Sequence, residues 1–222
     1  MKVISRLLSG ALLLTIVACS GGGGGGGSSD NSSDQYGIRL LHGAIDAQPA
    51  DLSCITGEIL TQQAASFAKE VGYTRLGEGA QSCNVVVRSS IQQPATTFTF
   101  ESKKEERRTV LLFEANSTVA YNAVIFQDLI PSVGDTEAAI RVVHGVRGVE
   151  GLDASVGGSL VSLPRATASE YLVVPAGPVA VRVEDRNNPI LDTSYTLEAG
   201  KAYTLFVTGE ESYFIVGRLL VD

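Results

Sequence analysis

The chain has 222 residues, with 17 basic against 24 acidic side chains, a formal net charge of −7, two histidines, three cysteines and no tryptophan. An acidic balance without a basic patch excludes a nucleic-acid binder, which needs a cationic face for phosphate, and argues against docking on anionic lipid through charge. Lys2 and Arg6 are the only charged residues before position 19, so a chain starting there has 15 basic and 24 acidic groups, a formal charge of −9.

The first element is an apolar run over residues 7–18, interrupted by Ser9, Gly10 and Thr15. It falls short of the roughly 20 apolar residues that cross a bilayer, and its basic flank marks an export signal. Its end, Leu14-Thr15-Ile16-Val17-Ala18-Cys19, resembles the lipobox of bacterial lipoproteins, with Ile16 where leucine is commoner. That resemblance implies cleavage after residue 18, acylation of Cys19 and membrane attachment through the lipid. Ser20, in place of an aspartate, implies the outer membrane as destination. Seven glycines (residues 21–27) and a Ser/Asp/Asn-rich stretch follow, with no apolar side chain to bury, so this segment is expected to be a tether. About 17 such residues hold a folded body roughly 20–25 Å from the membrane. The glycines are no phosphate loop, since no strand precedes them and no Lys-Ser or Lys-Thr closes them.

Beyond the tether the chain says the same thing twice. Ile38-Arg39-Leu40-Leu41-His42-Gly43 returns 102 residues later as Ile140-Arg141-Val142-Val143-His144-Gly145, and these hold both histidines. A period this long is a duplicated domain. Short runs rich in Val, Ile, Tyr, Phe and Thr recur along each copy with turn signals between them, the pattern of a β-sandwich. In the second copy, strands are expected at 140–144, 152–156, 159–161, 171–174, 179–184, 193–197, 202–208 and 213–221, with Gly157-Gly158 forming a tight turn. In the first, 71–76, 84–88, 96–101 and 109–114 match the second copy, the last two as a late hairpin, and a turn or two of helix is allowed at 62–70. The charge cluster at 103–108 falls on that hairpin's turn and is expected to be a solvated turn. The fold class is therefore all-β: two tandem immunoglobulin-like antiparallel β-sandwiches after the Gly/Ser tether. The organisation is signal 1–18, tether 19–37, first sandwich 38–131, linker 132–139 and second sandwich 140–222, with Pro131 and Gly134 marking the connection.

Once Cys19 is lipidated, Cys54 and Cys83 remain, both in the first copy and in an exported chain where disulfides persist, so they are expected to be bonded. Their counterparts in the second copy are near Val156 and Val179 or Ala180, apolar positions that face a core.

Several of these stretches also resemble a known family. Arg141-Val142-Val143-His144, Asp153, Val174-Pro175-Ala176-Gly177 and Leu197-Glu198-Ala199-Gly200-Lys201-Ala202-Tyr203-Thr204 are similar to the domain of unknown function 4397 family. In the first copy, His42, Asp46-Ala47 and Asp51 are similar to that family's opening. The resemblance implies exported, often tandem β-sandwich modules and carries no catalytic assignment.

His42 and His144 are the candidates for chemistry, with Asp51 and Asp153 nearby. No His-x-His or His/carboxylate cluster at metal spacing accompanies them, so a structural role, an imidazole bonded to backbone or to the nearby aspartate, is expected over a ligand role. No Gly-x-Ser-x-Gly elbow is present. Pro189 breaks any calcium-loop spacing among Asp185, Asn187, Asn188 and Asp192, a stretch expected to be a turn. The expectation is a non-enzyme without cofactor or metal, an anchored envelope protein that serves as scaffold or adhesion module for a protein partner. The alternative is a periplasmic or surface binding protein for a glycan or small ligand in the cleft between the two domains.

Overall fold

The structure is a computed structural model, and it describes residues 37–56, 58–61, 65–88, 94–114, 121–211 and 214–222. All regular elements among these residues are strands. The first repeat holds β1 (Gly37–His42), β2 (Ala50–Thr56), β3 (Glu58–Thr61), β4 (Glu70–Thr74), β5 (Gly79–Val87), β6 (Pro94–Ser102), β7 (Arg107–Glu114) and β8 (Tyr121–Gln127). The second holds β9 (Glu137–Arg147), β10 (Gly151–Val156), β11 (Ser159–Pro164), β12 (Leu172–Pro175), β13 (Gly177–Asp185), β14 (Asn188–Leu197), β15 (Ala202–Glu210) and β16 (Phe214–Val221).

Each repeat is a sandwich of two four-stranded sheets. The orders are β4-β1-β7-β8 over β3-β2-β5-β6, and β12-β9-β15-β16 over β11-β10-β13-β14. Pairing is antiparallel except that β1 runs parallel to β7 and β9 parallel to β15. Burial distinguishes the sheets. Residues of β5, β10 and β13 alternate between buried and more open, so those sheets have one face on a core and one toward solvent. By contrast β1 is buried throughout, and β9 and β15 are buried except at one or both ends. A strand covered on both faces reads as a continuous apolar run, as Val142-Val143 and Leu205-Phe206-Val207 do.

What covers the second face is the other repeat. Three cores result: one inside the first sandwich around Leu40, Leu52, Val85 and Leu112, one inside the second around Val142, Leu152, Val181 and Leu205, and a third made of Leu41, Leu111, Val143 and Phe206. The third takes two residues from each repeat, so the β1/β7 and β9/β15 sheets pack on each other and both repeats lie in one compact unit. Each fully buried Leu, Val or Phe contributes about 1.5–3 kcal/mol.

Several expectations are corrected here. The late hairpin is not one: β6 and β7, like β14 and β15, lie in opposite sheets, because β7 and β15 are apolar on both faces and take a central place beside β1 and β9. The turn itself stands, with residues 103–105 exposed and Glu105 at φ 67°. β9 takes in residues 137–139 of the expected linker, since Ala138 and Ala139 are fully buried. Gly37, placed in the tether, begins β1, where a Cβ would fall 2.0 Å from the Thr74 carbonyl oxygen, so no other residue fits. Residues 65–70 form a turn and the start of β4, and the rest of the possible helix lies outside the described residues. At the β13–β14 hairpin, Arg186 and Asn187 have φ of 47° and 69°, both positive as a two-residue hairpin loop requires.

Candidate functional site

The repeat Ile-Arg-x-x-His-Gly places three chemically distinct groups on β1 and again on β9. Alternation along the strand sends the arginine toward the other repeat, away from the sandwich's own core. Burying a guanidinium is costly unless it is paired and its N–H groups are bonded, and here both conditions are met by side chains of both repeats.

Arg39 donates from Nε to Thr109 Oγ1 at 2.9 Å and from Nη2 to Thr204 Oγ1 at 2.7 Å. Arg141 does the reverse, from Nε to Thr204 Oγ1 at 3.0 Å and from Nη2 to Thr109 Oγ1 at 3.0 Å. Each arginine then pairs with the carboxylate of the opposite repeat: Arg39 with Asp222 at 2.6 Å, Arg141 with Asp128 at 2.7 Å. The aspartates accept from Thr109 (2.7 Å) and Tyr73 (2.6 Å) on one side and from Thr204 and Tyr171 (both 2.8 Å) on the other. The tyrosine rings also lie against the arginines, 4.6 Å from Arg39 and 5.0 Å from Arg141. Four residue types thus occur twice about a pseudo-twofold axis, as in an isologous dimer interface within one chain.

The electrostatics follow from burial and pairing. Burial alone lowers the pKa of Arg39, but Asp222, Tyr73, Asp128 and Glu70 outweigh it, so the group is held charged above its ordinary range. Burial pushes up the Tyr73 and Tyr171 hydroxyls, and the arginine beside each opposes it. Both phenols therefore stay protonated as donors to the aspartates. Toward the rim, Arg147 binds Asp46 and Glu114 of the first repeat and Glu210 of its own at 2.6 Å each, and Arg165 donates to the Glu114 carbonyl.

His42 and His144 do other work. His42 Nε2 donates to the Gln48 carbonyl at 3.1 Å and His144 Nε2 to the Val149 carbonyl at 3.0 Å, each fastening the loop that leaves its strand. In His144, Nδ1 accepts the Val146 N–H at 3.2 Å, which fixes a neutral tautomer. Burial lowers both pKa values, that of His144 to about 4. The glycine after each histidine is a close-approach position: a Cβ at Gly43 would lie 3.3 Å from the Phe206 ring and at Gly145 3.1 Å, so the smallest residue leaves room for the shared core.

The structure does not bring the candidate aspartates to the histidines. Asp51 holds Arg88 in a two-pronged pair at 2.8 and 3.0 Å, and Asp153 accepts from Ser162, both on the outer sheets. Cys54 and Cys83 form a disulfide between directly opposed residues of β2 and β5, with Cα atoms 4.0 Å apart. It therefore joins neighbouring strands of one sheet, and the facing pair in the second repeat is Val156 and Val181. Cys19 lies outside the described residues. Among the described residues no group of three or more His, Cys, Asp or Glu is placed to hold a metal, and no helix is long and apolar enough to cross a membrane.

The inter-repeat network escaped the sequence reading. Asp128 reads as the end of the first sandwich and the tyrosines as ordinary strand residues, although one signal is present: an arginine at the same place in both copies of an otherwise apolar strand. The space expected as a cleft is occupied by this network and the third core, and at its rim a pocket of about 170 Å³ remains, lined by Phe126, Gln127, Leu129, Arg141, Ala168, Ser169, Glu170 and Tyr171.

Among curated proteins nothing matches the chain. A solved structure of a candidate cell adhesion protein from Bacteroides fragilis is similar over 84% of this chain and 97% of that one, at 10% identity and a TM-score of 0.23. Residues 138–218, within the second repeat, match the family described as Domain of unknown function (DUF4397).

Proposed function

We propose that this chain is a lipid-anchored envelope protein, held at the outer membrane through Cys19, whose two repeats act without catalysis as one rigid scaffold or adhesion module for a protein partner. One observation carries this: each repeat spends its inner sheet on the other, so the surfaces left for a partner are the outer sheets, their edges and the loops. The edge strand β11 keeps Leu160 70% exposed, and an open strand edge recognises extended protein segments by backbone pairing. Both histidines are committed to backbone carbonyls, which supports a reading without acid–base chemistry.

The test is radiolabelled palmitate incorporation with cell fractionation, beside protease shaving of intact and lysed cells. The expected result is label and membrane retention in the wild type, both lost in Cys19→Ser, and cleavage of residues 38–222 that locates the module outside or inside the outer membrane. An unlabelled, freely released wild type would overturn the anchored reading.

A further inference from the structure

Beside the two arginines, the halves of the interface differ in one carboxylate. Opposite Leu41 on the strand beside β1 stands Glu70, and opposite Val143, the matching residue of β9, stands Ala168. The pseudo-twofold axis therefore maps Glu70 onto Ala168. Glu70 brings Oε2 to 3.6 Å from Nη1 of Arg39, giving that guanidinium a second carboxylate beyond Asp222. At Arg141 the second carboxylate is missing, and the rim pocket of about 170 Å³ occupies that place, with Arg141 and Ala168 both in its lining.

We infer that this pocket binds a small organic monocarboxylate, whose carboxylate takes at Arg141 the place that Glu70 takes at Arg39. The chemistry of the walls narrows the class. Arg141 is 1% exposed and charged, and its bonds to Thr204, Thr109 and Asp128 use Nε and Nη2. Phe126, Leu129 and the Tyr171 ring give an apolar lining for a short hydrocarbon or aryl tail, and Leu129 is 63% exposed until a tail covers it. Glu170 in the lining and Asp128 on Arg141 disfavour a dianion, so phosphate and sulfate are selected against. The volume suits a ligand of few heavy atoms and is small for a glycan. This site goes beyond the anchored-module role and does not depend on it.

The experiment is NMR of the full-length protein in detergent, following the Arg141 Nε–H resonance during titration with propionate and benzoate, with 1-propanol and sulfate as controls. Saturable shifts with both carboxylates are expected, with half-saturation on the order of 1–10 mM for ligands this small, and none with the alcohol or sulfate. Ala168→Glu, which supplies the missing carboxylate from the chain, and Ala168→Leu, which fills the space with hydrocarbon, are each expected to weaken the response at least about tenfold. The absence of a saturable shift in the wild type, an equal response to sulfate, or an unchanged response in whichever filled variant folds would overturn the assignment.

Discussion

Arg39 Nη2 lies 2.6 Å from Asp222 Oδ1, a contact between β1 of the first repeat and the residue just past β16 of the second, with side chains 1% and 0% exposed. Arg141 and Asp128 make the reciprocal contact. Removing one member of such a pair leaves a buried charge uncompensated, which costs more than the pair itself contributes. Asp222→Asn is therefore expected to lower unfolding free energy by about 3–5 kcal/mol, and Asp128→Asn by a similar amount, as measured by urea denaturation.

Phe206 belongs to the third core, which the two repeats share. Phe206→Ala should cost about 3–5 kcal/mol through lost burial and a cavity. Because the ring packs in the core built by both repeats and fills the space a Cβ would need at Gly43 and at Gly145, the loss should appear equally in probes placed in either repeat.

His144 gives the stability a pH dependence of definite sign. Its folded pKa is lowered to about 4 from an ordinary 6.5, chiefly by burial, so between these values the unfolded state binds the extra proton. The contribution is complete above pH 6.5 and is lost as pH falls toward 4, amounting to about 3 kcal/mol. His42 shifts in the same direction for the same reason. Urea midpoints measured from pH 7.5 to 4 should fall, and His144→Gln should flatten that part of the slope.

The disulfide spans a sequence separation of 29 residues. Reduction should destabilise by about 3–4 kcal/mol in the chain-entropy model. A Cys54→Val/Cys83→Val double variant copies the Val156–Val181 pair, so it should retain the packing and lose only the covalent constraint. Calorimetry of the oxidised, reduced and valine forms separates the two effects.

The strands and the disulfide were legible because their causes are local: period-two alternation in β10 and β13, the Gly157-Gly158 turn, and a pair of cysteines in a chain whose first residues read as an export signal. The sheet order was not. Whether β7 pairs with β6 or crosses to lie beside β1 is decided by burial on both faces, which arises only when two sandwiches meet. The network was hidden for a related reason. Asp128 and Asp222 follow the last strands of their repeats and read as ends of elements, and the tyrosines as ordinary strand residues. Their partners are contributed partly by the other repeat, so no window of sequence contains the set. His42 and His144 were legible as a repeated pair, while their bonding to loop carbonyls depended on backbone paths that sequence does not specify.

The claim that most else rests on is that the two repeats form a single folding unit joined by the arginine crossover. Native-state hydrogen exchange by mass spectrometry tests it directly, comparing amides of β5 with those of β13, one central strand from each outer sheet. One unit predicts the same opening free energy in both strands, falling together in Asp222→Asn. Opening of one strand at a clearly lower free energy while the other stays protected, with Asp222→Asn affecting only one repeat, would contradict it.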